Sequence, residues 1–182
     1  MHGTEAPSPW IRRWSHLVPA GGTVLDLACG GGRHLRWFHG RGHPVVGVDR
    51  DAAALATLGA LGETLVADLE NGPWPLAERR FAAVVVTNYL WRPLFPRILA
   101  AVAPGGVLLH ETFAQGNGTV GRPARADFLL APGELLRAYA GLRVVAYEDG
   151  FLDEPARFVQ RIAAVREPLA QAPEPVPPRY LL

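Results

Sequence analysis

Three aspartates stand at or near the ends of apolar runs, and their spacing is typical of a site for a nucleotide-like ligand. Asp26 precedes three glycines at 30–32, Asp49 ends the next apolar run, and Asp68 ends the one after it. Asp49 follows the glycines by about 20 residues, the spacing of a carboxylate that accepts both hydroxyls of a ribose. Asp68 could accept a hydrogen bond from the exocyclic amine of a purine, with Leu69 packed on its ring.

The glycines lie between an apolar strand and a helix, where a bare backbone can approach a ligand closely. The free N–H groups at the start of that helix suit a carboxylate. The dinucleotide pattern G-x-G-x-x-G needs a third glycine where this chain has Leu35. An acid at Asp26, just before the turn, suits a cationic ligand better than a pyrophosphate.

Each of these features also has a purely structural interpretation. The glycines could form an ordinary tight turn. Asp49 could cap the following helix, although Asp51 already offers a cap. Asp68 could close a surface turn. The site is therefore predicted from the set of features and not from any one of them.

Candidate catalytic groups follow the fourth and fifth apolar runs. His110 can titrate near neutrality and is one candidate base, and Glu111 is another. Strand alternation puts their side chains on opposite faces of the sheet. Tyr89 and Trp91, after the fourth run, could wall a small substrate pocket, and His34 is a weaker candidate base. Either His110 or Trp91 could instead be a core residue.

Composition excludes several kinds of chemistry. All basic residues are arginine, so no lysine can form a Schiff base or a P-loop. The lone Cys29 excludes an intrachain disulfide and a cysteine zinc cluster, and we expect no metal. The net charge of +1 predicts no broad basic field for DNA. The chain has no apolar run long enough for a membrane span and no signal-peptide pattern, so we expect a cytoplasmic protein without a membrane partner.

Alternation of apolar runs with helical patterns predicts an α/β fold with a doubly wound, mostly parallel sheet. Strands are predicted at 23–28, 44–48, 63–67, 81–87, 107–113, 142–147 and 157–165, and helices at 9–18, 33–39, 51–62, 93–103 and 132–139. The last two strands are predicted to pair antiparallel. Ligands of such sheets bind at the carboxyl ends of the strands.

We expect one domain over residues 1–166, in which 1–18 would form an N-terminal lid helix over the ligand, and a proline-rich tail over 167–182. The loop at 114–127 is long for a connector. We expect it either to be solvated or to act as a lid whose Arg122 and Arg125 meet an anionic substrate.

Taken together, LDLACGGG at 25–32, GVD at 47–49, ADL at 67–69, the strand at 81–87 and PGGVLL at 104–109 resemble the class I S-adenosylmethionine-dependent methyltransferases. Within that class, CGGGR and FLLAPGEL look like the small bacterial tellurite-resistance and thiopurine methyltransferase-like group. The resemblance implies a Rossmann-like seven-strand sheet with an antiparallel last strand.

It also implies S-adenosylmethionine as cofactor. Asp26 and the turn would lie near the methionine part, Asp49 would hold the ribose, and Asp68 would lie near adenine. The residues expected to contact the cofactor are Asp26, Ala28, Cys29, Gly30, Gly32, Arg33, Asp49, Arg50, Asp68, Leu69, Thr87, Asn88 and Leu90.

The expected function is methyl transfer to a small-molecule acceptor, by a monomer or a homodimer. Three alternatives remain open: a protein or RNA acceptor, a non-catalytic scaffold with the methyltransferase fold, and a nicotinamide oxidoreductase. The chain lacks the Asn/Asp-Pro-Pro-aromatic turn typical of enzymes that methylate base amino groups in DNA.

Overall fold

The computed structural model describes residues 6–168 and 178–182. Residues 1–5 and 169–177, which include most of the predicted proline-rich tail, lie outside the described residues.

Seven strands form one sheet, and its topology confirms the predicted fold. The strands are β1 Val24–Leu27, β2 Val45–Asp49, β3 Glu63–Val66, β4 Phe81–Thr87, β5 Val102–Phe113, β6 Arg143–Leu152 and β7 Arg157–Val165. Their order is β3-β2-β1-β4-β5-β7-β6. Strand β7 runs opposite to the other six strands, because it pairs antiparallel with both β5 and β6 while the other pairs are parallel.

Short helices cover both faces of the sheet, as parallel sheets require. They are α1 Pro9–Trp14, α2 Arg33–His39, α3 Ala52–Ala56, α4 Phe95–Ala101 and α5 Glu134–Ala138. One core joins α1, α2 and α3 to Val85 and Leu109 of the sheet, and a second joins α4 and α5 to Val84 and Leu108. The central strands β1 and β4 are consequently buried almost throughout.

Strand β5 begins five residues earlier than the sequence predicts, because the Pro-Gly-Gly turn is accommodated within it. Gly105 has φ +76 and donates its N–H to Arg166 O, while Arg166 N–H donates to Gly106 O. A Cβ on Gly106 would lie 2.9 Å from the carbonyl oxygens of Ala103 and Phe81. Glycine thus lets the strand pass this turn, where the register between β4 and β5 shifts between Phe81 and Ala83.

Helix α3 ends at Ala56, well before the predicted end near Gly62, and Gly59 follows with φ +55. No described helix is long and apolar enough to cross a bilayer.

Candidate active site

The glycine turn after β1 has the backbone that its sequence predicts. Ala28, Gly30 and Gly32 have φ values of +53, +52 and +72, the left-handed region that glycine tolerates best. A Cβ on Gly30 would meet no atom within 4 Å, whereas one on Gly32 would lie 2.5 Å from Leu58 Cδ2. Gly30 therefore borders open space, and Gly32 is required for packing.

Asp49 ties this turn to the end of β2. Its Oδ2 accepts the N–H of Gly30 at 2.7 Å, and its Oδ1 accepts the N–H of Asp51 at 2.9 Å. Asp51 caps α3 through the N–H groups of Ala53 and Ala54. The helix cap is thus Asp51, and Asp49 holds the rim of the crevice.

Asp68 closes the turn after β3. Its Oδ1 accepts the N–H groups of Glu70 and Asn71, and its Oδ2 accepts the side-chain amide of Asn71. These hydrogen bonds, led by the one from the Asn71 amide, lower the pKa of Asp68. Leu69, next to it, packs against the core.

These strand ends surround a pocket of about 160 Å³. Its lining residues are Ala28, Asp49, Arg50, Ala67, Asp68, Leu69, Glu70 and Tyr89. The structure thus brings together six of the residues that the sequence singled out. Sequence reasoning missed Ala67 and Glu70, although both adjoin residues that it named.

Tyr89 forms a wall of the pocket and is half-buried. Its hydroxyl has no hydrogen-bond partner within the described part of the chain. Burial, followed by the negative charges of Glu70 and Asp68, raises the pKa of Tyr89. The group therefore remains a neutral donor at neutral pH, and the wall around it is predominantly acidic.

Asp26 is buried within β1, one residue before the end of that strand, with 1% of its surface exposed. Neither carboxylate oxygen has a hydrogen-bond partner among the described residues. His34 Nδ1 lies 3.6 Å from Oδ2. Since a buried carboxylate without hydrogen-bond partners is costly, the chemistry of this side chain suits a cationic ligand group.

Cys29 is buried in the turn, with 8% of its surface exposed. Its Sγ packs close to Gly47, where an added Cβ would come within 2.9 Å. Burial first, and then the charges of Asp26 and Asp49, raise the pKa of the Cys29 thiol. Arg33 follows as the first residue of α2 and is partly exposed.

The residues after β4 divide between crevice and core. Thr87 ends the strand and is partly exposed, and Asn88 has φ +53 and donates its N–H to Glu111 O at 2.9 Å. Such strained positions often occur at ligand sites. Leu90, in contrast, is packed in the core with 5% of its surface exposed. Trp91 is 36% exposed and is not a core residue.

The structure does not bring His110 to the pocket. Its ring is buried on the α4–α5 face, with Nδ1 2.9 Å from the Tyr139 hydroxyl and Nε2 3.4 Å from Tyr89 O. Phe95 packs edge-on against it. Burial lowers the pKa of His110 to about 4, so the imidazole is neutral at physiological pH. This geometry favours the core interpretation of His110.

Glu111 lies on the other face, the one that carries Asp26. Its Oε1 accepts the Ser8 hydroxyl at 3.0 Å, and its Oε2 accepts Arg161 Nη1 at 3.2 Å. Arg157 Nη2 lies 3.9 Å from Oε1. Sequence reasoning missed these partners, since they lie far from Glu111 along the chain.

Helix α1 packs on the sheet and contributes no residue to the pocket lining. Trp10, Ile11 and Trp14 are buried, and Trp10 Nε1 donates to Ile162 O. Ser8, which precedes the helix, contacts His34 and Glu111.

The loop at 114–127 is held in place by hydrogen bonds of its own residue Asn117. Asn117 is buried, its Nδ2 donates to Pro123 O, and its Oδ1 accepts Phe158 N–H. Arg125 pairs with Asp127 at the surface.

The sequence of the chain is similar to sequences of known methyltransferases. Residues 24–106 match the profile of a family described as a methyltransferase domain. The chain is 33% identical over 155 residues to ribosomal RNA small subunit methyltransferase H of Gemmatimonas aurantiaca. That alignment covers 80% of this chain and 47% of the relative, so the chain spans about half the relative's length.

Solved structures share the fold. TehB from Haemophilus influenzae superposes with a TM-score of 0.73 at 19% identity, over 90% of this chain and 63% of TehB. The glycopeptide N-methyltransferase MtfA complexed with sinefungin gives 0.61 at 20% identity, over 87% and 92% of the two chains. Residues 24–106 thus match methyltransferase domains in sequence, and the chain shares the fold of these solved structures.

Proposed function

We propose that the chain transfers a methyl group from S-adenosylmethionine to a small-molecule acceptor. The observation that carries the proposal is the buried carboxylate of Asp26, which has no hydrogen-bond partner among the described residues and lies beside an open glycine turn. The cofactor, when bound, supplies an electrophilic methyl group on a cationic sulfur. The protein then has to bind, orient and desolvate, and a general base is optional.

Each strand end has a part in this proposal. Asp26 would balance the positive charge of the methionine part, and the bare backbone at Gly30 would allow close approach. Asp49 would accept the ribose hydroxyls through lone pairs that its two backbone hydrogen bonds leave unused. Asp68 and Leu69 would hold the purine. The acidic lining disfavours a pyrophosphate and therefore a dinucleotide.

On the acceptor side, Tyr89 is the better placed of the predicted catalytic residues. Tyr89 lines the pocket, and its buried hydroxyl has no hydrogen-bond partner among the described residues. Glu111 already binds Ser8 and Arg161, and His110 is enclosed in the core. We propose a positioning role for Tyr89, and no base for the transfer.

An RNA acceptor is the second candidate, favoured by one surface. Residues 9–43 contain five arginines and one acid, the buried Asp26. On that surface the guanidinium groups of Arg12 and Arg41 stack over Trp37 at 5.4 and 5.0 Å. Exposed, stacked guanidinium groups suit phosphate contacts. The relative from Gemmatimonas is itself named as a ribosomal RNA methyltransferase.

Binding and turnover separate these possibilities. Calorimetry with S-adenosylhomocysteine should give saturable binding, and NADH should give none. An Asp26→Asn variant should weaken that binding. Failure of the wild type to bind S-adenosylhomocysteine would refute the proposal.

Labelled S-adenosylmethionine should then be tested against a panel of metabolites, thiols and metalloid oxyanions, and against ribosomal RNA. Label in RNA, lost on an Arg12→Glu/Arg41→Glu double substitution, would establish the second candidate. Binding without transfer to any acceptor would favour a scaffold.

A further inference from the structure

We propose that His34, held by the backbone of Ser8, is a positioning residue for Asp26. Through it the segment before α1 would help to bind the methionine part of the cofactor. This inference rests on the proposed function, because it concerns the same carboxylate.

The two side chains meet in a fully enclosed place. Asp26 and His34 are 1% and 2% exposed, and Nδ1 of the imidazole lies 3.6 Å from Oδ2 of the carboxylate. That distance is too long for a hydrogen bond but short enough for a strong charge–dipole interaction in a buried site. His34 is thus the polar side chain that faces the carboxylate in the described structure.

The Ser8 backbone decides which nitrogen of His34 carries the proton. Its N–H donates to Nε2 at 3.2 Å, so this nitrogen needs a free lone pair. The neutral ring must then carry its hydrogen on Nδ1, directed towards Asp26. His34 therefore presents a fixed N–H dipole to the carboxylate of Asp26.

Ser8 is itself fixed on three sides. Besides holding His34, its Oγ accepts the N–H of Trp10 at 3.1 Å and donates to Glu111 Oε1 at 3.0 Å. Glu111 is held in turn by Arg161. This chain of contacts fixes the position of the Ser8 N–H, and so the orientation of the His34 ring.

Two ligands that differ only at the methionine end test the inference. S-adenosylhomocysteine carries the amino acid group, and 5′-methylthioadenosine lacks it. His34→Ala should weaken S-adenosylhomocysteine binding about tenfold and leave 5′-methylthioadenosine binding unchanged. His34→Asn, whose amide can place a donor near the position of Nδ1, should restore most of the loss. His43→Ala, which removes a buried histidine bonded to Gly22 O elsewhere, is the matched control.

The role of Ser8 is isolated by comparing two substitutions. Ser8 has φ −51 and ψ 136, which proline can adopt. Ser8→Ala keeps the N–H, and Ser8→Pro removes it, while both lose the hydroxyl. We expect Ser8→Pro to bind S-adenosylhomocysteine several-fold more weakly than Ser8→Ala, with equal binding of 5′-methylthioadenosine.

An equal loss of both ligands in His34→Ala would mean a merely structural role and would overturn the inference. So would unchanged S-adenosylhomocysteine binding in that variant, a His34→Asn variant no better than His34→Ala, or equal binding by the two Ser8 variants. If the wild type bound no S-adenosylhomocysteine at all, the proposed function would fail first, so the two failures are distinguishable.

Discussion

Gly30 and Gly21 share a left-handed backbone, with φ +52 and +68, and an added Cβ would meet nothing within 4 Å at either position. The two glycines differ in their position relative to β1. Gly30 lies in the turn after β1, bonded to Asp49, whereas Gly21 precedes the same strand at the opposite edge of the sheet. Comparing them separates backbone strain from ligand contact.

Alanine at either glycine should cost about 1 kcal/mol of unfolding free energy, because a Cβ is disfavoured in the left-handed region. Gly30→Ala should also weaken S-adenosylhomocysteine binding at least tenfold, since its methyl group would project into the space proposed for the cofactor. Gly21→Ala should not. Denaturant melts and calorimetry on both variants measure this. A Gly30→Ala protein that bound the ligand normally would remove this turn from the site.

Asp49 and Asp51 form a second matched pair. Asp49→Ala should reduce cofactor affinity by about 1–3 kcal/mol, because hydrogen bonds to a charged acceptor are lost. Asp51→Ala should instead cost about 1 kcal/mol of stability through loss of the α3 cap, with affinity unchanged. Dissociation constants and unfolding curves give both values. An unchanged dissociation constant for Asp49→Ala would exclude the proposed ribose contact.

The strand ends could be predicted from sequence because they depend on local patterns. Apolar runs that end at Asp49 and Asp68 and a glycine turn after Asp26 are enough to place these residues at one edge of a parallel sheet. Strand alternation also predicted that the side chains of His110 and Glu111 lie on opposite faces of the sheet. It did not predict which face each side chain occupies, because that depends on α1 and α2 packing on one side and α4 and α5 on the other.

The contacts of Ser8 also show which interactions local sequence patterns cannot predict. Its capping of α1 is local, because the N–H that it accepts belongs to Trp10, two residues along the chain. Its hydrogen bond to Glu111 joins residues 103 positions apart, and no local pattern indicates it. Similarly, the pairing of the last two strands was expected, but the long β6 and the Arg161–Glu111 contact arise from tertiary packing.

The loop at 114–127 should depend on Asn117. Asn117→Ala removes two hydrogen bonds and leaves Pro123 O and Phe158 N–H without them, at a cost of about 1–3 kcal/mol. Trypsin should then cleave faster after Arg125, the arginine of this loop that is not followed by proline. Thr119→Ala, which loses an exposed hydrogen bond in the same loop, is the control. Cleavage unaffected by Asn117→Ala would mean that other contacts order the loop. Slower wild-type cleavage with S-adenosylhomocysteine would support a lid.

His110 should make the protein sensitive to mild acid. Its ordinary pKa of 6.5 applies to the unfolded chain, and burial lowers the folded value to about 4. The unfolded state therefore takes up a proton first as the pH falls. Stability due to this group is intact above pH 6.5 and declines towards pH 4 by about 1.4 kcal/mol per unit, about 3 kcal/mol in all.

Other groups also titrate in this pH range, so the test compares the wild type with a variant that lacks the imidazole of His110. His110→Asn can keep a partner for the Tyr139 hydroxyl but does not titrate. Unfolding free energies of both proteins, measured from pH 7.5 to 4, should converge as the pH falls, because only the wild type loses the His110 contribution. Parallel curves would show that His110 accepts a proton in the folded state, and would reopen its candidacy as a base.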